Sequence, residues 1–235
     1  MATRSQTIIR TALKNGQRTL SEYDSKRILS AYGVPVSREF LVTSATGAKA
    51  AAAKIKYPVV LKACSADEAH KSEKGLVVVN LSGPAELADA FSTLTKRAGK
   101  SYDGAYLVQE MVKGAREIMI GMHRDPSFGP SVLFGLGGIF TEILQDVVFR
   151  VAPLRKTDTR EMMGAIRGHR ILDAVRGMPA VDKDILSRAL MAVSQIALDH
   201  PEIAEIDINP LIIRGSKPVA VDGLVVLAEP VETVG

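Results

Sequence analysis

Tryptophan is absent from the 235 residues, aromatic side chains make up only 5%, and Cys64 is the single cysteine. With so few rings for stacking bases, a single-stranded nucleic-acid surface is disfavoured. One thiol cannot close an internal disulfide, which suits a reducing compartment, read as the cytoplasm. Long apolar runs are missing as well. The run Gly223 to Ala228 falls far short of the roughly 20 residues that a membrane-spanning helix needs. No G-x-x-x-x-G-K-[ST] loop, G-x-G-x-x-G fingerprint, zinc-spaced Cys/His set or G-x-S-x-G elbow occurs. A nucleotide would have to be held some other way.

What is present is ordinary globular composition: 46% hydrophobic and 24% charged residues, with a formal net charge of +4. The basic residues are dispersed, which favours solubility and attraction for phosphate-bearing small molecules over a nucleic-acid face. Arg4, Arg10, Lys14 and Arg18 with no acidic residue among the first twenty have the composition of a mitochondrial presequence. The reading adopted is a basic amphipathic first helix.

Local signals predict a β-α-β-β-α series, then several strands, two helices and a terminal hairpin. Ser21 and Asp24 open a helix with Ile28, Leu29 and Tyr32 on its apolar face, stopped by Gly33 and Pro35. Phe40 to Val42, Val59 to Leu61 and Leu76 to Leu81 read as strands. Ser44 to Lys56 and a segment opened by Ser82-Gly83-Pro84, with Ala88, Phe91 and Leu94 buried, read as helices. Tyr106 to Val112 and Glu117 to Met122 are two strands joined at Lys113-Gly114. Further strands fall at Ser131 to Phe134, near Ile143 and at Val147 to Val151, with helices at Asp158 to Val175 and Lys183 to Asp199. The fold class is α+β in two lobes meeting near Ala105: residues 1–20 an extension or helix, 21–105 the first lobe, 106–235 the second.

The most informative stretch is Glu205-Ile206-Asp207-Ile208-Asn209-Pro210. Alternation puts Ile206 and Ile208 on one face and Glu205, Asp207 and Asn209 on the other. If Arg214 to Lys217 forms a four-residue hairpin loop, Ile213 pairs with Pro218 and Asn209 falls opposite Asp222. Two oxygen donors so placed can share a Mg²⁺ whose other ligands are water and phosphate. A plain solvated hairpin face is equally consistent with the pattern. Lys62 ends a buried strand and needs a negative partner, either a bound phosphate or a carboxylate. His70, beside Lys71 and Lys74, could accept a phosphoryl group or be an ordinary loop histidine. Gln109-Glu110-Met111-Val112 with Glu117 could serve an adenine edge and a ribose, or form a plain hairpin. Gly135, Gly137 and Gly138 could bring amides to phosphate or form a tight turn. His123, His169 and His200 belong to no constellation.

Taken in order, these segments resemble the β subunit of ADP-forming acyl-CoA (acetyl-CoA) synthetases, ATP-grasp proteins also similar to the succinyl-CoA synthetase β chain. The resemblance rests on Leu20-Ser21-Glu22-Tyr23 through Tyr32-Gly33-Val34-Pro35-Val36, Tyr57-Pro58-Val59-Val60-Leu61-Lys62 and His70-Lys71-Ser72-Glu73. It continues through Val108-Gln109-Glu110-Met111, Gly114-Ala115-Arg116-Glu117, Asp125 to Pro130, Phe134 to Phe140, Phe149 to Leu154 and Glu205 to Leu211. It implies an ATP-grasp fold clasping ATP/ADP, with Lys62 on the phosphates and Gln109, Glu110, Met111 and Val112 along the adenine. It further implies Glu117 near the ribose, Gly137 and Gly138 near phosphate, and Asn209 and Asp222 on Mg²⁺. His70 matches a histidine that is phosphorylated in transit, and Asp207 an acidic residue that orients it. The implied partner is a CoA-binding α subunit, in an α2β2 heterotetramer. Members often read His-Lys-Thr-Asp-x-Gly-Gly where this chain has Ser72, Glu73, Lys74, Gly75 and Leu76 after His70-Lys71. Ala66 and Glu68 replace a common proline and an apolar residue. The activity expected is a ligase interconverting acyl-CoA, ADP and phosphate with carboxylate, CoA and ATP. The alternatives are a non-catalytic ATP/ADP sensor, which needs no phosphoryl acceptor, and an ATP-grasp carboxylate–amine ligase.

Overall fold

The structure is a computed structural model that describes residues 3–66, 75–99, 101–138 and 145–228. His70, its loop and the strand expected near Ile143 lie outside the described residues. The chain divides into two compact units, a larger one of residues 1–20, 24–36 and 113–235 and a smaller one of residues 21–23 and 37–112.

The smaller unit is a four-stranded antiparallel sheet in the order β1-β4-β2-β3. Its strands are β1 (Glu39–Val42), β2 (Val59–Cys64), β3 (Val77–Leu81) and β4 (Ala105–Glu110). Helices α3 (Ala45–Ile55) and α4 (Pro84–Ala98) contribute Ala48, Ala52, Ile55, Leu87, Phe91 and Leu94 to a core with Val59, Leu61 and Val108. Ser44 caps α3 by accepting from the Gly47 amide. Pro84 opens α4, and Glu86 reaches back to the Ser82 amide and hydroxyl. The buried stripe of α4 starts at Leu87, and Ala88 is only half-buried.

In the larger unit the main sheet runs β10-β8-β5-β6-β7, with β9 also paired to β8. The strands are β5 (Glu117–Asp125), β6 (Gly129–Leu136), β7 (Val147–Val151), β8 (Ile203–Arg214), β9 (Lys217–Ala220) and β10 (Leu224–Leu227). Helices α5 (Lys156–Ala165) and α6 (Lys183–Asp199) supply Met162, Met163, Leu186, Leu190, Val193 and Ile196 to the core, against Ile118, Ile120, Phe134, Ile206 and Ile208. The first helix α1 (Arg4–Lys14) has a capping box on Thr3 and buries Ile9 and Ala12 in the same core. The amphipathic-helix reading of the basic terminus is what the fold contains.

Four expectations are corrected. The lobe boundary at residue 105 cuts just before β4, which pairs with both β1 and β2, so the smaller unit continues to Val112. The strands at Tyr106 and Glu117 read as a hairpin, yet they lie in different sheets. The helix expected over 158–175 stops at Ala165, where the Asp146 carboxylate takes the Arg167 and Gly168 amides ahead of a short 3₁₀ turn, His169–Leu172. Finally, the apolar run after Gly223 is a strand, β10, and the sequence reading had no strand there.

Candidate functional site

In the smaller unit, alternation along β2 sends Val59 and Leu61 to the helix-covered core and Val60 and Lys62 to the other face. Gln109 pairs with Val60, and Leu107 with Lys62. Lys62 and Gln109 are therefore diagonal neighbours on one face, about 7–8 Å apart by strand geometry. An ammonium buried here needs a counter-charge. Glu22 supplies it: its Oε1 lies 2.9 Å from Lys62 Nζ, with the two side chains 1% and 8% exposed. Of the two partners the sequence allowed for Lys62, the structure contains the carboxylate. Forty residues separate the pair, so no local spacing could have announced it.

The segment after β4 is held from both sides. The Glu110 amide donates to the Arg38 carbonyl and the Met111 amide to the Pro58 carbonyl. The Glu110 carboxylate accepts from the Arg38 amide at 3.0 Å and from its guanidinium at 3.3 and 3.4 Å. Glu110 is thus a brace for the segment, and Arg38 is a second residue that pattern reading missed. An adenine edge would have to use groups other than these two amides. Gln109 and Val112 are buried.

In the larger unit, β9 and β10 pair with β8 in one continuous register: Ile213 faces Pro218, Leu211 faces Ala220, and further on Asp207 faces Leu224. The Ile213–Pro218 pair is as expected, but Arg214 and Lys217 pair as well, so the loop is Gly215 and Ser216 rather than the four residues expected. Carried between the two ladders, the same register sets Asn209 opposite Asp222, and the Val221 amide donates to the Pro210 carbonyl there. Asn209 Oδ1 accepts from the Gly138 amide at 3.1 Å. The Gly137 amide in turn donates to the Glu117 carbonyl. Glycine is required at both positions: a Cβ at Gly137 would sit 2.6 Å from the Ile118 carbonyl oxygen, and one at Gly138, where φ is +62°, would run into the Glu117 carboxylate. Glu117, Gly137, Gly138, Asn209 and Asp222 thus gather along one strip of this unit, although they are scattered over a hundred positions of the chain.

Asp207 belongs to the same polar face. Its Oδ1 is buried with no hydrogen-bond partner. Burial first, then the charges of Glu205 and Asp222, push its pKa up to about 6. An unpaired carboxylate oxygen near two further acids favours a positive charge beside it. All the donors are oxygens, the set that hard divalent cations take. Among the described residues no three His, Cys, Asp or Glu side chains gather as a metal cage. Mg²⁺ is commonly held by one or two protein oxygens with the rest from water and phosphate, and Asn209 and Asp222 would supply two such oxygens.

The remaining histidines stay apart. His123 is exposed on β5, His169 lies in the 3₁₀ turn, and His200 is buried with Nε2 3.1 Å from the Tyr32 hydroxyl. Arg116 is 4% exposed and donates to the carbonyls of Ile171, Asp173, Pro179 and Gly215, a purely architectural use of a guanidinium. No helix among the described residues is long and apolar enough to cross a membrane.

Residues 11–227 match the model of the ATP-grasp domain, and the chain belongs to that family. Within it, the chain belongs with the ADP-forming acetate–CoA ligases. It is 40% identical over 218 residues to the β subunit of acetate–CoA ligase [ADP-forming] I of Pyrococcus furiosus, covering 91% of this chain and 94% of that one. It is 38% identical over 232 residues to acetate–CoA ligase [ADP-forming] I of Archaeoglobus fulgidus, covering 97% of this chain but spanning only 34% of that longer protein. Among solved structures it is similar to acetyl-coenzyme A synthetase 1 of Ca. Korarchaeum cryptofilum. One structure of that enzyme, with coenzyme A and Ca-AMPCP, gives a TM-score of 0.91 at 36% identity, covering 95% of this chain and 100% of the other. A second, with coenzyme A and Mg-AMPPCP and its phosphohistidine segment pointing towards the nucleotide-binding site, gives 0.84 at 36% identity with the same coverage.

Proposed function

We propose that the chain is the nucleotide-binding β subunit of an ADP-forming acyl-CoA synthetase, acting with a CoA-binding α subunit in an α2β2 heterotetramer in the cytoplasm. The reaction interconverts acyl-CoA, ADP and phosphate with carboxylate, CoA and ATP. The observation that carries the reading is the β8–β9–β10 register, which sets Asn209 opposite Asp222 in a chain spanning 94% of a free-standing ligase β subunit.

In the ATP-forming direction an acyl phosphate arises on the partner. A histidine nitrogen attacks its phosphorus; the N–P bond forms, the acyl O–P bond breaks, and the carboxylate leaves. His70 receives this phosphoryl group for delivery to nucleotide, and Asp207 orients its ring. A terminal oxygen of ADP then attacks, the N–P bond breaks, and neutral histidine and ATP remain. Lys62 lies on the phosphates, exchanging some of its contact with Glu22 for the phosphoryl oxygens. Gln109 to Val112 line the adenine, Glu117 lies near the ribose, and Gly137 and Gly138 bring the backbone close to phosphate. Asn209 and Asp222 hold Mg²⁺, which supplies charge neutralisation to the phosphates when bound. Phosphoryl transfer is mostly positioning and electrostatics, so no exotic side chain is required.

The test is to incubate the chain and its copurified partner with γ-labelled ATP and Mg²⁺. Acid-labile, base-stable label on protein is expected, lost in His70→Ala while ADP binding persists. Label unaffected by His70→Ala, or a chain that purifies without any CoA-binding partner, contradicts the reading.

A further inference from the structure

A lysine is among the bulkiest side chains buried to the last few per cent: Lys26, only 1% exposed, in helix α2 (Glu22–Ala31). Taking an ammonium out of water costs several kcal/mol even after relaxation, so its place needs an explanation. Lys26 Nζ donates to the Val221 carbonyl at 3.4 Å. Val221 immediately precedes Asp222, in the three-residue corner where the chain leaves β9 and has not yet entered β10.

That corner is gripped along its length. The Val221 amide donates to the Pro210 carbonyl, the Gly223 amide donates to Asp222 Oδ1 at 2.8 Å, and the Val225 amide donates to the Ser25 hydroxyl at 3.1 Å. Gly223 packs against the same helix: a Cβ there would meet Leu29 Cδ1 at 3.1 Å and Lys26 Cγ at 3.4 Å. Three residues of one helix, Ser25, Lys26 and Leu29, therefore shape the turn that carries Asp222. Ser25 satisfies its backbone partner with a neutral hydroxyl.

We propose that Lys26 is a positioning residue for the divalent-cation site, fixing the Val221–Gly223 corner through the Val221 carbonyl so that Asp222 is held in register with Asn209. The inference rests on the assignment of Asn209 and Asp222 to the cation. Groups that orient metal ligands typically change metal affinity by about 10–100-fold when removed.

The experiment measures Mn²⁺ binding by electron paramagnetic resonance to the full chain with its partner, in the presence of ADP. Wild type, Lys26→Met, Lys26→Arg and Asp222→Asn are compared, and each is also melted thermally. Lys26→Met is expected to weaken Mn²⁺ binding by at least about tenfold while metal-free ADP affinity stays as in wild type, and Lys26→Arg is expected to restore part of the loss. A Lys26→Met protein that melts lower but binds Mn²⁺ normally makes the residue a packing element and overturns the proposal. Tighter Mn²⁺ binding in that variant also overturns it, since Lys26 would then be a counter-ion that competes with the metal. Where Lys26→Met does not fold, Lys26→Gln is judged by the same criteria. If Asp222→Asn leaves Mn²⁺ binding unchanged, the assignment of the cation itself fails, a result separable from the failure of Lys26 alone.

Discussion

The two sheets differ in how their best-described acids are placed. In the smaller unit each buried carboxylate described above has a cation against it: Glu22 against Lys62, and Glu110 against Arg38. In the larger unit Asp207 keeps an unpaired buried oxygen, and Glu205 and Asp222 add to its burden. The crowding of acids around Asp207 favours a positive charge beside it. In the proposed reaction Lys62 would serve anionic phosphate, and Asn209 and Asp222 would serve a cation.

Breaking the matched side should cost most. Lys62→Met removes the cation 2.9 Å from the buried Glu22 carboxylate, and removing one member of a buried pair typically costs about 3–5 kcal/mol. Chemical denaturation should show a loss of that size, largely recovered when Glu22→Leu is added. A single-variant loss near zero would mean that the pair is not buried in solution.

On the unmatched side the sign reverses. The raised pKa of Asp207 means that the folded chain binds its proton more tightly than the unfolded chain does. Its contribution is therefore fully favourable below the ordinary carboxylate range near pH 4 and is lost as pH rises through about 6. Asp207→Asn should stabilise the metal-free chain at pH 7.5 by up to about 3 kcal/mol and leave it unchanged near pH 3.5. Melting curves at the two pH values check this. Equal effects at both would deny the charge origin.

Gly138→Ala sharpens the comparison at the ligand strip. A positive φ and the nearby Glu117 carboxylate should together cost about 1–3 kcal/mol, and adenine nucleotide should bind more weakly than to Asn209-intact wild type. The smallest effect is expected at Arg38. Its side chain is 65% exposed, so Arg38→Gln should cost no more than about 1 kcal/mol in stability. It should act mainly on nucleotide affinity through the loosened Glu110 segment.

Much of the fold was legible in the sequence. Alternation along Glu205 to Asn209 gave the buried face of β8, and the supposed turn gave the right register although the loop is two residues shorter than supposed, because a slip by one would expose that face. The alanine-rich run after Ser44 and the Ser82-Gly83-Pro84 opening announced their helices. What escaped was non-local. Lys62 and Glu22, Arg38 and Glu110, and Lys26 and Val221 are 40, 72 and 195 residues apart, and no periodicity links such pairs. The lobe boundary failed for a related reason: β4 and β5 are neighbours in sequence and read as a hairpin, while their hydrogen bonds go to different sheets. β10 was hidden because four apolar-leaning residues give too short a period to distinguish strand from loop.

The central claim is that the Asn209 and Asp222 strip binds a divalent cation together with nucleotide. Calorimetric titration of ADP into the protein with and without Mg²⁺, for wild type and for Asn209→Ala/Asp222→Ala, tests it most directly. The account predicts that Mg²⁺ tightens ADP binding in wild type and has no effect in the double variant. Equal enhancement by Mg²⁺ in both proteins would contradict it.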